Sequence, residues 1–412
     1  MHLINPEAII AKMDGVVETK SYINKLKIIK NLYLNEANTA SEICNQVGIS
    51  LPTVNSLLTD LMESGEVIKH GRAESQGGRK PDLYRLAPNA FYVLSVDLSR
   101  FNMNLALYSC THELVQSKKG YNISLNNEEK TLSHIGDKIE EFLKETNIPD
   151  DKIIAMGISM PGLVDSLEGV NYTYLKFGNK TLRENLERRF GKKVFLENDA
   201  RAMTLAEFKF GAGKEYKNVL GVFVGWGIGL GVIIDGKLYQ GSSGFAGEFS
   251  HCTIFDSRQE TSTSGKKDCL EAVASGTAIV KKAQEAIEAD PDSILARIVK
   301  SHEGNLDPSL VVKAALSGDQ RAITLISEAG LDLGRGISIL IQLLNPELII
   351  VGGSVAESDQ YLLIPIQQAL NVYCMAKSRE KTKLSLYKLG DNVGLLGGVA
   401  VVNEKLFEDI IE

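Results

Sequence analysis

The chain has 412 residues, 44% of them hydrophobic and 24% charged, so a soluble globular protein of two or three domains is expected. A net charge of −7 excludes a protein that coats nucleic acid indiscriminately, and any DNA contact must come from a local basic surface. No apolar run approaches a membrane span, no signal-peptide core opens the chain, and five scattered cysteines suit a reducing cytoplasm without a disulfide framework.

The first patterned stretch is 39–61. Thr39 with Glu42 makes a T-x-x-E capping box and predicts a helix start. Ile43, Cys44 and Val47 share one face, and Gly48 ends the helix. Ser50 is placed to cap a second helix, with Pro52 in the first turn, where a missing N–H costs little. Val54, Leu57, Leu58 and Leu61 repeat at helical spacing and predict an inward face. Thr53, Asn55, Ser56 and Thr59 are left outward, small polar side chains suited to base edges and phosphates. Such a helix pair also occurs in proteins that never touch DNA, so the residues that follow matter. A strand is predicted over 66–70, a loop over 72–81 and a returning strand over 84–86. The loop carries Gly77-Gly78-Arg79-Lys80-Pro81. Alone it would read as a solvated linker; behind a helix-turn-helix it is the wing of a winged helix. Arg72, Arg79 and Lys80 are its cations, suited to a narrow, electronegative minor groove, with Lys69, His70 and Arg85 nearby.

The pattern changes at 86–89, which places a DNA-binding domain at 1–87. Beyond it the chain alternates α and β. Residues 92–97 and 104–108 predict a hairpin. Leu132, Ile135, Ile139 and Phe142 give a helix with one apolar stripe. Strands are predicted at 153–159, before Pro161-Gly162, and at 194–197, which feeds a helix over 200–210. A second hairpin begins near Val219, and after 270 only 348–351 is expected to be a strand. Two lobes, 88–202 and 203–412, each opened by a strand–loop–strand unit, follow the plan of an actin-like sugar kinase, with the second lobe carrying oligomerisation.

These segments together resemble the ROK family (repressors, open reading frames, kinases), specifically its NagC-like or xylose-repressor-like transcriptional regulators. The resemblance rests on GGRKP at 77–81, PGLVD at 161–165, ENDA at 197–200, the glycine run at 225–231, GEFSH at 247–251, CLE at 269–271 and NPELIIVGG at 345–353. It implies an α/β fold: an N-terminal winged helix-turn-helix followed by a two-lobed actin-like (ribonuclease H-like) body with a sugar site between the lobes. It also implies a dimer or tetramer on double-stranded operator DNA, and a sugar or sugar-phosphate effector that releases or reshapes DNA binding.

The expected sugar contacts are Pro161, Gly162, Asn198, Asp199, Glu248, His251 and Glu271, because planar polar side chains take two hydroxyls at once. Each has an ordinary alternative: a helix cap for Asp199, surface ion pairs for the glutamates, a core imidazole for His251. In the family's kinases the equivalent of Asp199 is the general base, here expected to be vestigial. The phosphate loops depart from the kinases. Asp97-Leu98-Ser99-Arg100-Phe101 stands where they resemble D-x-G-G-T. Gly225, Gly227 and Gly229 persist, but Trp226 replaces a small hydroxyl residue. With Gly352 and Gly353, these are expected to form degenerate nucleotide loops, so neither a catalytic residue nor a cofactor is expected. Nor is a metal. The family's zinc segment would need cysteines at Ser262 and Ser264, leaving His251 and Cys269, since Cys252 adjoins His251. The leading expectation is a cytoplasmic sugar-responsive regulator, a repressor, without turnover. The alternative is an ATP-dependent sugar kinase with an appended DNA-binding domain; a protein partner in place of a sugar is a third reading.

Overall fold

The computed structural model describes residues 16–73, 80–176, 180–255, 260–262 and 265–407. The chain divides into two compact units. One comprises the residues up to Asn198 and those from Gly394 onward, and the other is Asp199–Val393. This division differs from lobes of 88–202 and 203–412, chiefly because the C-terminal helix groups with the first unit.

The first unit begins with α1 (Val16–Asn35), which buries Tyr22, Leu26, Ile29 and Tyr33 at helical spacing. Then come β1 (Asn38–Thr39), α2 (Ala40–Val47), α3 (Leu51–Glu63), β2 (Val67–Arg72) and β3 (Asp82–Leu86). The predicted capping box is present: Glu42 N–H donates to Thr39 Oγ1 at 3.2 Å, and Thr39 N–H donates to Glu42 Oε2 at 2.7 Å. Gly48 ends α2 with φ 72°, a left-handed conformation that glycine adopts without Cβ strain. Ser50 occupies the N-cap of α3, but its hydroxyl bonds Thr53 Oγ1 at 2.8 Å and not a helix N–H. Val54, Leu57, Leu58 and Leu61 are buried as expected. The strands make a three-stranded sheet in the order β1-β3-β2, longer than the predicted hairpin by the two residues of β1.

The body of this unit contains β4 (Tyr92–Leu98), β5 (Asn102–Ser109), β6 (Leu114–Asn122), α4 (Glu129–Glu145), β7 (Ile153–Met160), the short pair β8 (Val164–Asp165) and β9 (Val170–Asn171), α5 (Leu182–Phe190) and β10 (Lys193–Asn198). Its sheet runs β10-β7-β4-β5-β6; β10, β7 and β4 are parallel and the rest antiparallel. The C-terminal helix (Val393–Lys405) lies close on this sheet, with Gly398 against the backbone of Gly157 and Leu395 C=O accepting from Ser95 Oγ at 2.5 Å.

The second unit opens with α6 (Asp199–Phe210), then β11 (Val219–Val224), β12 (Ile228–Ile234) and β13 (Lys237–Leu238). The helices α7 (Leu270–Ala274), α8 (Gly276–Ala289), α9 (Ile294–Ser301), α10 (Pro308–Leu316) and α11 (Gln320–Leu344) follow. It closes with β14 (Leu348–Gly352), α12 (Gln360–Tyr373), α13 (Ala376–Lys381) and β15 (Lys383–Leu386). Its sheet order is β13-β12-β11-β14-β15, with β11, β14 and β15 parallel. Both sheets therefore carry one topology: three antiparallel strands in sequence, then two strands added parallel to the first. The strand–loop–strand unit expected at the start of each lobe is thus part of a repeat of the whole sheet. Among the described residues, no helix is long and apolar enough to cross a membrane.

Candidate functional site

On α3, Thr53, Asn55, Ser56 and Thr59 are all exposed. Two of the four use their hydroxyls locally: Thr53 with Ser50, and Thr59 donating to Asn55 C=O at 3.0 Å. Asn55 and Ser56 keep their side chains turned to solvent. At the base of the wing, Ala73 N–H donates to Pro81 C=O at 3.0 Å. Asp82 draws in Lys69 at 2.7 Å and Arg72 at 3.7 Å, so the charge of Arg72 is partly matched. Lys80 is exposed, and Arg79 lies outside the described residues.

In the first unit the Pro161-Gly162 turn follows β7. Gly162 has φ 100°, and a Cβ there would meet Thr173 Cβ at 2.8 Å, so only glycine fits. The turn is held by Asn171, whose amide donates to Pro161 C=O at 2.9 Å while its oxygen accepts from Thr173 and Tyr174 N–H at 2.8 and 3.0 Å. Asn198 donates to Gly162 C=O at 3.2 Å. The structure thus brings Pro161, Gly162 and Asn198 together. The buried Asn171 is the organising residue that pattern reading missed, since a lone asparagine in an unpatterned loop carries no signal.

In the second unit Asp199 is the first residue of α6, and its Oδ1 accepts from Ala200 N–H at 2.8 Å. Arg201, buried on the same helix, donates to Gly244 C=O at 2.6 Å and anchors the segment leading to Glu248. A one-turn 3₁₀ helix, Phe249–His251, follows. Leu270 N–H donates to Cys252 C=O at 3.2 Å, setting the start of α7 beside that turn. Consequently Glu248, His251 and Glu271 converge: His251 Nε2 lies 3.8 Å from Glu248 Oε2, and Nδ1 lies 3.6 Å from Glu271 Oε2. The last two atoms are buried without a hydrogen-bond partner. Buried polar atoms are normally satisfied, so this pair is set up for a group that both donates and accepts, as a hydroxyl does.

The glycines divide into two kinds. A Cβ on Gly229 would strike Ala200, and one on Gly221 or Gly231 would strike Thr204, so these glycines seat α6 on its hairpin. Gly352 lies against Phe223 (2.5 Å for an added Cβ), and Gly353 combines φ 88° with an equally close approach to Val224 C=O. Gly225 has open space around it, whereas a Cβ on Gly227 would make a tight 3.3 Å contact with Glu271 Oε1. In the first hairpin Ser99 N–H and hydroxyl both donate to Asn102 C=O, at 2.8 and 3.1 Å. The Arg100 guanidinium lies 5.2 Å from the centre of the exposed Phe101 ring. Asp97 accepts from Asn104 Nδ2 at 3.1 Å and abuts Gly394 at the start of the C-terminal helix.

The residues present do not fit a structural zinc. The thiol of Cys269 points at Lys266 C=O, 3.8 Å away, while Ser262 N–H donates to Lys266 C=O and Gly265 N–H to Ser262 C=O, both at 2.9 Å. The turn is therefore closed by its own backbone. Ser264 lies outside the described residues. Among the described residues no three His, Cys, Asp or Glu side chains are arranged to hold a metal ion.

Known proteins are similar to this chain over most of its length. The chain is 27% identical over 382 residues to the xylose repressor of Caldicellulosiruptor bescii, covering 92% of this chain and 95% of the relative. It is 28% identical over 319 residues to a glucokinase of Halalkalibacterium halodurans, covering 96% of that enzyme but 76% of this chain. A crystal structure of a ROK family transcriptional regulator, a homologue of the E. coli MLC protein, superimposes with TM-score 0.78 at 25% identity, over 94% of this chain and 98% of that one. A winged helix-turn-helix DNA-binding profile matches residues 23–67, and the ROK family profile matches 93–405. The chain belongs to the ROK family.

Proposed function

We propose that this protein is a sugar-responsive transcriptional repressor that binds operator DNA through its winged helix and performs no turnover. One observation carries this: the winged helix is joined to a ROK body, and the repressor-named relative matches along both parts, whereas the glucokinase leaves about a quarter of the chain unmatched. The effector is a sugar or sugar phosphate. Glu248, His251, Glu271 and Asp199 of the second unit are assigned to it. The unsatisfied His251 and Glu271 atoms support that assignment. Residues 1–87 act as the DNA-binding part.

Absence of turnover rests on the loops. Phosphoryl transfer depends on backbone donors surrounding the phosphates. Here Ser99 closes its own hairpin, Gly229, Gly352 and Gly353 are taken up by packing, and Trp226 stands in the glycine loop, whose carbonyls are bonded to Gly276 and Thr277 N–H. The protein acts as a homodimer or homotetramer, because one recognition helix covers too few bases for specificity. The apolar outer face of α11 and α12, with Leu343 74% and Val372 73% exposed, supports self-association.

The test is selection of genomic fragments by the full chain, then anisotropy titrations of the selected operator with and without a panel of hexoses, pentoses, amino sugars and their phosphates. A sugar-dependent change in operator affinity is expected. No sequence-specific DNA binding under any condition would overturn the reading.

A further inference from the structure

We infer that Trp226 is a sugar-stacking residue, a specificity determinant of the effector site that the polar cluster alone does not provide. The inference rests on the effector reading above and concerns how that site holds its ligand.

Trp226 lies at the tip of the β11–β12 hairpin and is 41% exposed. For the largest apolar side chain, exposure in a rigid position calls for an explanation. The position is rigid because the loop is clamped through its main chain. Gly225 N–H donates to Gly227 C=O at 3.0 Å, and Gly225 C=O accepts from Gly276 N–H at 2.9 Å. Trp226 C=O accepts from both the Thr277 N–H at 3.0 Å and the Thr277 hydroxyl at 2.9 Å. The first N–H groups of α8 are thereby occupied by loop carbonyls. A helix start that would otherwise attract an anion is used to fix the loop carrying the indole.

The next residue, Gly227, borders Glu271 Oε1, and Glu271 is the carboxylate whose other oxygen faces His251. The loop that carries the indole therefore adjoins the carboxylate that faces the imidazole. A pyranose has both complements: hydroxyls around its rim for Glu248, His251 and Glu271, and a face of C–H groups for the negative face of an indole. A phosphate has no such face. An indole at this position would offer the sugar a platform that a small hydroxyl residue would not.

The chain contains one tryptophan, so its emission reports this site alone. The experiment uses the full-length protein with D-xylose, D-glucose, N-acetyl-D-glucosamine and ATP, followed by calorimetry and by selectively excited indole fluorescence. A sugar that binds by calorimetry should shift Trp226 emission to shorter wavelength with the same midpoint, and ATP should leave it unchanged. Trp226→Ala should weaken that sugar about tenfold, and Trp226→Phe should recover most of the affinity because a flat ring remains. The clamp uses the Trp226 carbonyl, which both variants keep, so circular dichroism should show both folded. Sugar binding by calorimetry with unchanged emission and unchanged affinity in Trp226→Ala would overturn this inference while leaving the effector reading intact. If no sugar gives either heat or an emission change, the effector reading falls and this inference with it.

Discussion

The ring of Tyr33 on α1 lies 5.4 Å from that of Phe91, across the junction between the winged helix and the first sheet. Tyr33 also meets His112 at 4.9 Å and Phe407 at 6.0 Å, and it is buried. Alongside, Cys110 Sγ donates to Ala87 C=O at 3.0 Å, and burial pushes its thiol up to about 11. The DNA-reading part is thus packed onto its body at an aromatic junction, and cutting the chain after residue 87 would bare Phe91 and Phe407.

The junction predicts opposite outcomes for two substitutions. The Tyr33 hydroxyl is buried without a partner, which costs free energy in the folded state. Tyr33→Phe should be neutral or stabilising by up to about 1 kcal/mol. Tyr33→Ala removes the ring and should cost about 3–5 kcal/mol, and should expose the junction to protease. Urea denaturation checks both; an unchanged midpoint for Tyr33→Ala would show that the junction contributes nothing.

The capping box gives a pH prediction. The Thr39 N–H and hydroxyl donate to Glu42 at 2.7 and 2.8 Å, holding its carboxyl below the usual range, the backbone donor contributing most. A depressed folded pKa stabilises above the unfolded value of about 4.3 and is lost as pH falls through the folded one. Thr39→Ala should therefore cost about 1 kcal/mol at neutral pH, and Glu42→Gln, which removes the titrating carboxyl, should flatten the acid limb of the stability curve. An acid limb identical to wild type would count against the assignment.

How far the sequence can be read depends on whether the signal is local. The α2–α3 pair announces itself through Thr39, Glu42, Gly48 and the buried leucines, because caps and helical periodicity act within a few residues. By contrast, β1 has two residues and exists only because Asn38 and Thr39 pair with Tyr84 and Leu83. The glycine run invites a phosphate reading, yet Gly229 and Gly231 answer to Ala200 and Thr204, more than twenty residues away in sequence. Glu248, His251 and Glu271 are nameable as candidates, but their convergence depends on a hydrogen bond between Leu270 and Cys252 that no spacing rule foretells.

For DNA, the exposed Asn55 and Ser56 should set sequence preference, and Lys80 with Arg79 should set affinity. Arg79→Ala with Lys80→Ala should weaken binding to all sequences and lower the salt slope by about one for every phosphate left without its cation. Asn55→Ala should change which operator is preferred. Light scattering should find a dimer or larger, with operator half-sites about 34–36 Å apart or a multiple of that. A monomer protecting one unpaired half-site would exclude this arrangement.

Asp199 separates the regulator from the kinase. It begins α6, where the helix's positive end favours a carboxylate, and its Oδ1 accepts from Ala200 N–H. Asp199→Asn keeps the acceptor and the size but removes the charge and the base. If the residue were a catalytic base, turnover should fall by a factor on the order of 100 to 10,000. In a binding protein there is no turnover to lose, so the change should appear as weaker sugar affinity and a blunted effector response on DNA. Glu248→Gln, His251→Ala and Glu271→Gln should behave alike, since those side chains converge on one place. The deciding measurement is a coupled ATP-consumption assay on wild type across hexoses, pentoses and amino sugars. No sugar-dependent consumption is expected. Consumption that disappears in Asp199→Asn would establish the kinase reading, because an adventitious ATPase has no reason to depend on both the sugar and this carboxylate.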